Sequence, residues 1–147
     1  MDIRARILAR SDLDDMRAAR DINGLTAALN EQPEMVAASR MLTERGILAS
    51  YGLGPDAGAA FMDKLDIVAA SGATGTAALK RMMKYLYGES GVDIGDQATR
   101  DKLDALVGVA GITLAEVTGV KAIALQPQYI TREQVADEMY NPDGTEK

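Results

Sequence analysis

Apolar residues recur along this chain at helical spacing, and glycine, proline or a capping residue interrupts them before any run grows long. Leu79, Met82, Met83 and Leu86 stand at i, i+3, i+4 and i+7, the pattern that lines one face of an α-helix. Phe61, Met62, Leu65, Val68 and Ala69 repeat with the same period behind Pro55 and Asp56, which suit a helix start. No alternating apolar and polar stretch of useful length competes. The pattern therefore predicts an all-α fold, a compact multi-helix bundle of about six to eight short helices.

The punctuation places the elements. Ile3, Ile7 and Leu8 share a face of a first short helix, and Ser11 with Asp12, Asp14 and Asp15 reads as the cap and first turn of a second. Asn23-Gly24 marks a turn or a weak helix start before Leu25, Ala28 and Leu29. Pro33 fits the first turn of a longer helix to about Tyr51, with Met35, Ser39 and Leu42 at helical spacing and Gly46 as a weak point. Gly52-Leu53-Gly54 stops it, and Ser71-Gly72 breaks the helix opened by Pro55. The Leu79 helix is expected from about Ala73 to Tyr87, with Gly88 where a C-terminal cap belongs.

Asp96 can cap a helix carrying Leu103, Leu106 and Val107, closed by Gly108 and Gly111. Thr113 with Glu116, and Thr131 with Gln134, form two capping boxes. The run Val120 to Leu125 reads as the end of the Thr113 helix, with Pro127 as its stop. Residues 1–140 are expected as a single helical domain. Asn141 to Lys147 is turn-rich and polar, a flexible tail.

With 147 residues and 47% hydrophobic content the chain can bury one core, and with one Phe and five Tyr that core must be built from Leu, Ile, Val, Met and Ala. His, Cys and Trp are all absent. Their loss removes the commonest general bases, metal ligands and soft nucleophiles, and any disulfide framework. Neither an enzyme nor a metal or cofactor site is expected. An enzyme working through carboxylates alone stays open, although no pair is nominated. The formal charge of −6 disfavours nucleic acid and anionic membrane as partners. No run approaches the ~20 apolar residues of a membrane span, and Met1 to Arg10 lacks the hydrophobic stretch of a signal peptide. A soluble protein, made in the cytoplasm, is expected.

Several motifs invite chemistry and have plainer readings. Gly72-Ala73-Thr74-Gly75-Thr76 resembles a phosphate cradle, yet the Lys followed by Ser or Thr of a P-loop and its preceding strand are missing, so an inter-helix turn is expected. Gly52, Gly54 and Gly58 approximate a dinucleotide fingerprint with the wrong spacing behind a helix. Asp93-Ile94-Gly95-Asp96 and Asn141 to Glu146 lack the alternating acids of a calcium loop, so caps and turns explain them. Asp12, Asp14 and Asp15 suit the macrodipole of a helix start.

One cluster stands out as a candidate for partner contact. Lys80, Arg81 and Lys84 lie beside Tyr85 and Tyr87, where basic and aromatic residues interleave; a solvated face opposite the Leu79 stripe is the plainer reading. Thr113 to Val120 and Thr131 to Ala136 resemble pieces of helix-turn-helix regulators, although Asp137 and Glu138 follow where a reading helix needs basic or amide side chains. A DNA-binding regulator using these C-terminal helices is therefore the alternative function.

A further resemblance covers roughly a quarter of the chain, by residue texture rather than by a catalytic motif. Ile3-Arg4-Ala5-Arg6-Ile7-Leu8-Ala9-Arg10-Ser11-Asp12, Ala18-Ala19-Arg20-Asp21-Ile22, Val92-Asp93-Ile94-Gly95-Asp96 and Ala124-Leu125-Gln126-Pro127 look like phrases of small helical proteins encoded by tailed phages and prophages. The resemblance implies a non-enzymatic structural or assembly protein of a virion, tail-associated or of the head-tail connector type. Its partners would be other virion proteins and further copies of itself. It brings no catalytic residue, cofactor or metal. The eight Met are expected mainly in the core, with some left for such contacts.

Overall fold

The computed structural model describes residues 2–50, 55–72 and 76–147. Among them run α1 (Ile3–Leu8), α2 (Asp14–Ala18), α3 (Ile22–Glu31), β1 (Glu34–Ala37), β2 (Met41–Leu42), α4 (Glu44–Ser50), α5 (Pro55–Ala70) and α6 (Thr76–Leu86). β3 (Val92–Asp93), α7 (Gln97–Asp104), α8 (Leu114–Ala122), β4 (Leu125–Gln128) and α9 (Arg132–Met139) follow, with 3-10 turns at Ser11–Leu13 and Val109–Gly111. The fold is thus mainly helical but not all-α. β2 pairs antiparallel with β3, Met41 opposite Asp93 and Leu42 opposite Val92, and β1 pairs with β4.

The strands replace two helical stretches that the spacing predicts. Pro33 directly follows Gln32, the C-cap of α3, and so stands after a helix rather than in the first turn of one. Beyond it the Asp93 carboxylate accepts from the Ser39 hydroxyl at 2.7 Å, the Arg40 amide at 2.8 Å and the Gly95 amide at 2.9 Å. The Ile94 amide donates to the Arg40 carbonyl, and the Ala38 amide to the Ala124 carbonyl, both at 3.0 Å. These partners are remote in sequence, so pairing across the fold overrides the helical spacing of Met35, Ser39 and Leu42. Helix resumes only at Glu44. Likewise α8 ends at Ala122, and Leu125 and Pro127 belong to β4 rather than to the end of that helix.

Residues group into two compact units, Met1–Met35 with Pro127–Lys147, and Val36–Gln126, where one domain over 1–140 is the expectation from sequence. In the first unit α1, α3 and α9 pack around Ile7, Leu13, Leu25, Leu29, Val135 and Met139, all buried. Asp21 caps α3 by accepting from the Gly24 amide, which places Asn23-Gly24 inside the first turn. Arg6 and Arg10 donate to the carbonyls of Gln32 (2.9 Å) and Ala28 (3.0 Å), and so serve the unpaired end of α3. Asn30 makes a two-way bridge, its amide donating to the Ile130 carbonyl at 2.9 Å and its oxygen accepting the Ile130 amide at 2.8 Å. Residues 141–147 form a turn: the Asn141 amide donates to the Thr145 carbonyl at 2.7 Å, and Asp143 accepts the Thr145 amide and hydroxyl.

The second unit is centred on Phe61 of α5, fully buried among Ile47, Leu65, Leu79, Met83 and Val117. Gly58 permits α4 and α5 to approach, since a Cβ there would meet the Ile47 carbonyl oxygen at 3.1 Å and the Leu48 Cα at 3.3 Å. Asp96 caps α7 through the Thr99 amide. Leu106 and Val107 lie past the end of that helix, and Gly108 and Gly111 follow with positive φ. After α6 the left-handed glycine is Gly91 (φ 70°), whose amide donates to the Tyr85 carbonyl; Gly88 has no positive φ. Both capping boxes form as the spacing predicts.

Candidate contact surface

Helix α6 carries the basic and aromatic cluster, and helical geometry divides it. Lys80, Lys84 and Tyr87 stand at i, i+4 and i+7, whereas Ala78, Arg81, Met82 and Tyr85 form the neighbouring strip. Lys80, Arg81 and Lys84 are exposed, Tyr85 is 56% exposed and Tyr87 47%. At the end of the first strip, just past α6, the Tyr87 hydroxyl donates to Asp66 Oδ2 of α5 at 2.5 Å. Partial burial and the Asp66 carboxylate push the Tyr87 phenol well above its ordinary range, so it stays a neutral donor.

The second strip borders an apolar groove of about 330 Å³. Ala78, Leu79 and Met82 of α6 line one side, Lys102 and Leu103 of α7 the other, and Val109 closes one end. Met82 is half-buried at the groove wall, while Met62 and Met83 lie in the core. Lys102 brings a cation to the α7 side. The acids of α7 are engaged elsewhere: Asp104 with Lys121 at 2.6 Å, Asp101 with the Gln97 amide at 2.7 Å. Arg81, adjacent to Ala78 and Met82, brings a second cation to the α6 side. An apolar trough with a cation on each side is thus set on a chain of net charge −6.

In the same unit, α5 shows a surface of opposite character. Asp56, Ala60, Asp63, Ile67 and Ala70 fall at i, i+4, i+7, i+11 and i+14 and are all exposed, with Asp66 beside them. Ile67 is 60% exposed and is the one large aliphatic side chain on that strip. Both the groove and this ridge escape a reading for charged clusters. The ridge is visible in sequence as acids and small residues at helical spacing, but the groove requires two helices and a turn brought together.

The other motifs have structural uses. Asp93 is taken up by Ser39, Arg40 and Gly95, and Asp96 by the α7 cap. Asp12 pairs with Arg10 at 2.6 Å and Asp14 with Arg17 at 3.2 Å. Gly58 packs two helices; Gly52 and Gly54 of the fingerprint, and Ala73, Thr74 and Gly75 of the cradle, lie outside the described residues. Helices α8 and α9 are separated by residues 123–131, which include β4, where a helix-turn-helix joins its helices by a turn of about three or four residues. No helix among the described residues is long and apolar enough to cross a membrane. Among known proteins, no family model, curated protein or solved structure matches this chain.

Proposed function

We propose that this chain is a non-enzymatic assembly subunit of a tailed-phage particle, tail-associated or at the head-tail connector, present in several copies and acting through protein-protein contacts. It would be made in the host cytoplasm and end in the virion. The observation that supports an assembly role is the α6 surface: the exposed Tyr85, an arginine and a half-buried methionine beside an apolar groove. Aromatic residues, Met and Arg are the side chains enriched in protein interfaces, and a preformed apolar recess is where an anchoring side chain binds most strongly. The phage class rests on the sequence phrases quoted above.

Electron microscopy of the purified, concentrated chain tests this reading, together with a titration against duplex DNA. Rings or stacks of uniform diameter, and no salt-dependent DNA binding, are the expected results. Single-chain particles at every concentration contradict it. Steeply salt-dependent binding to duplex DNA would move the function to the regulator class.

A further inference from the structure

We infer that the α6/α7 groove is filled by the α5 ridge of a second copy of this chain, with Ile67 as the anchoring side chain. The inference rests on the multi-copy reading above and specifies the contact that would build it. Three observations carry it. First, the groove holds about 330 Å³ and is lined mainly by apolar side chains, with Ser71, Thr76 and Lys102 as its polar members, so it has room for a branched aliphatic side chain together with parts of its neighbours. Second, Ile67 is 60% exposed and therefore does not occupy the groove of its own chain. Third, the charges match. Ile67 has Asp63 and Asp66 as its acidic neighbours on α5, while Lys102 lines the groove and Arg81 stands on α6 three residues after the lining residue Ala78.

The alanines at 60 and 70 keep the ridge low on either side of Ile67, which lets backbone approach backbone as the side chain enters. The Tyr87 phenol that donates to Asp66 adds no charge of its own to the ridge. Ridge and groove are different patches of one unit, so a contact in which one ridge enters one groove without the reciprocal insertion is head-to-tail. Such a contact closes into a ring or propagates as a filament, according to the rotation between neighbours. A two-fold dimer would instead seat each ridge in the other copy's groove at the same time.

Two exposed substitutions separate the halves of this contact. Ile67→Lys sets a cation against Arg81 and Lys102, and Val109→Glu sets an acid against Asp63 and Asp66. Val109 is 42% exposed; unchanged melting curves verify the fold of both variants. In analytical ultracentrifugation the wild type is expected to associate, and each variant to raise the dissociation constant by about 30-fold or more. An equimolar mixture of the two variants is expected to form a dimer and nothing larger, because one intact ridge and one intact groove remain per pair. Wild-type association that survives both substitutions overturns the docking while leaving the multi-copy reading in place. Loss with one variant only, or a mixture that stays monomeric, also overturns it. A wild type that never associates overturns both.

Discussion

At the residue scale, Asp93 and Gly95 account for much of the departure from an all-helical fold. A Cβ on Gly95 would stand 1.9 Å from the Ala38 carbonyl oxygen, closer than any atom pair tolerates, so backbone must move. Gly95→Ala is expected to lower stability by about 2 kcal/mol or more in urea unfolding. Asp93 accepts from the Ser39 hydroxyl and from the Arg40 and Gly95 amides, which hold its carboxyl below the ordinary aspartate range. Its stabilising effect is therefore present above the unfolded-state pKa of about 4 and is lost as pH falls through the lower folded value. Melting temperatures measured from pH 6 down to about pH 2 should fall more steeply for the wild type than for Asp93→Asn; parallel curves would contradict this. Phe61 is fully buried, and Phe61→Ala is expected to cost about 3–5 kcal/mol by calorimetry.

Local signals were legible where an element depends on its own residues, and illegible where it depends on distant ones. The Thr113 and Thr131 boxes need only a side chain and an amide three residues apart, and both are read directly from spacing. The stretch from Pro33 to Leu42 has helical spacing too, but Asp93, Ile94 and Ala124 supply its hydrogen bonds, and no local pattern announces them. The two boxes also differ in a way that spacing alone does not give. Glu116 additionally pairs with Lys64 at 2.6 Å and is largely enclosed. Burial works against its ionised form, but Lys64 and the Thr113 amide and hydroxyl outweigh this and leave its pKa lowered. Thr131→Ala is expected to cost about 1 kcal/mol, and Glu116→Ala, which also strands Lys64, about 2 kcal/mol, in paired chemical unfolding. Equal losses would show that the Lys64 pair contributes nothing.

For the whole molecule, the apolar pattern identifies the core residues but not their division into two clusters, because periodicity records which face is buried and not what buries it. The candidate surface shows the same limit. Lys80, Arg81, Lys84, Tyr85 and Tyr87 are adjacent in sequence and all exposed, yet helix geometry sends Arg81 and Tyr85 toward the groove and Tyr87 toward Asp66. Lys102, Val109 and the α5 ridge join the surface only through folding. The central claim is that the chain works as a repeated subunit, and light scattering of the purified protein over a concentration series tests it most directly. The account predicts a mass that rises above 15.6 kDa with concentration, holding at one integer multiple for a closed ring and continuing to climb for a filament or stack. A mass that stays at 15.6 kDa throughout would contradict it.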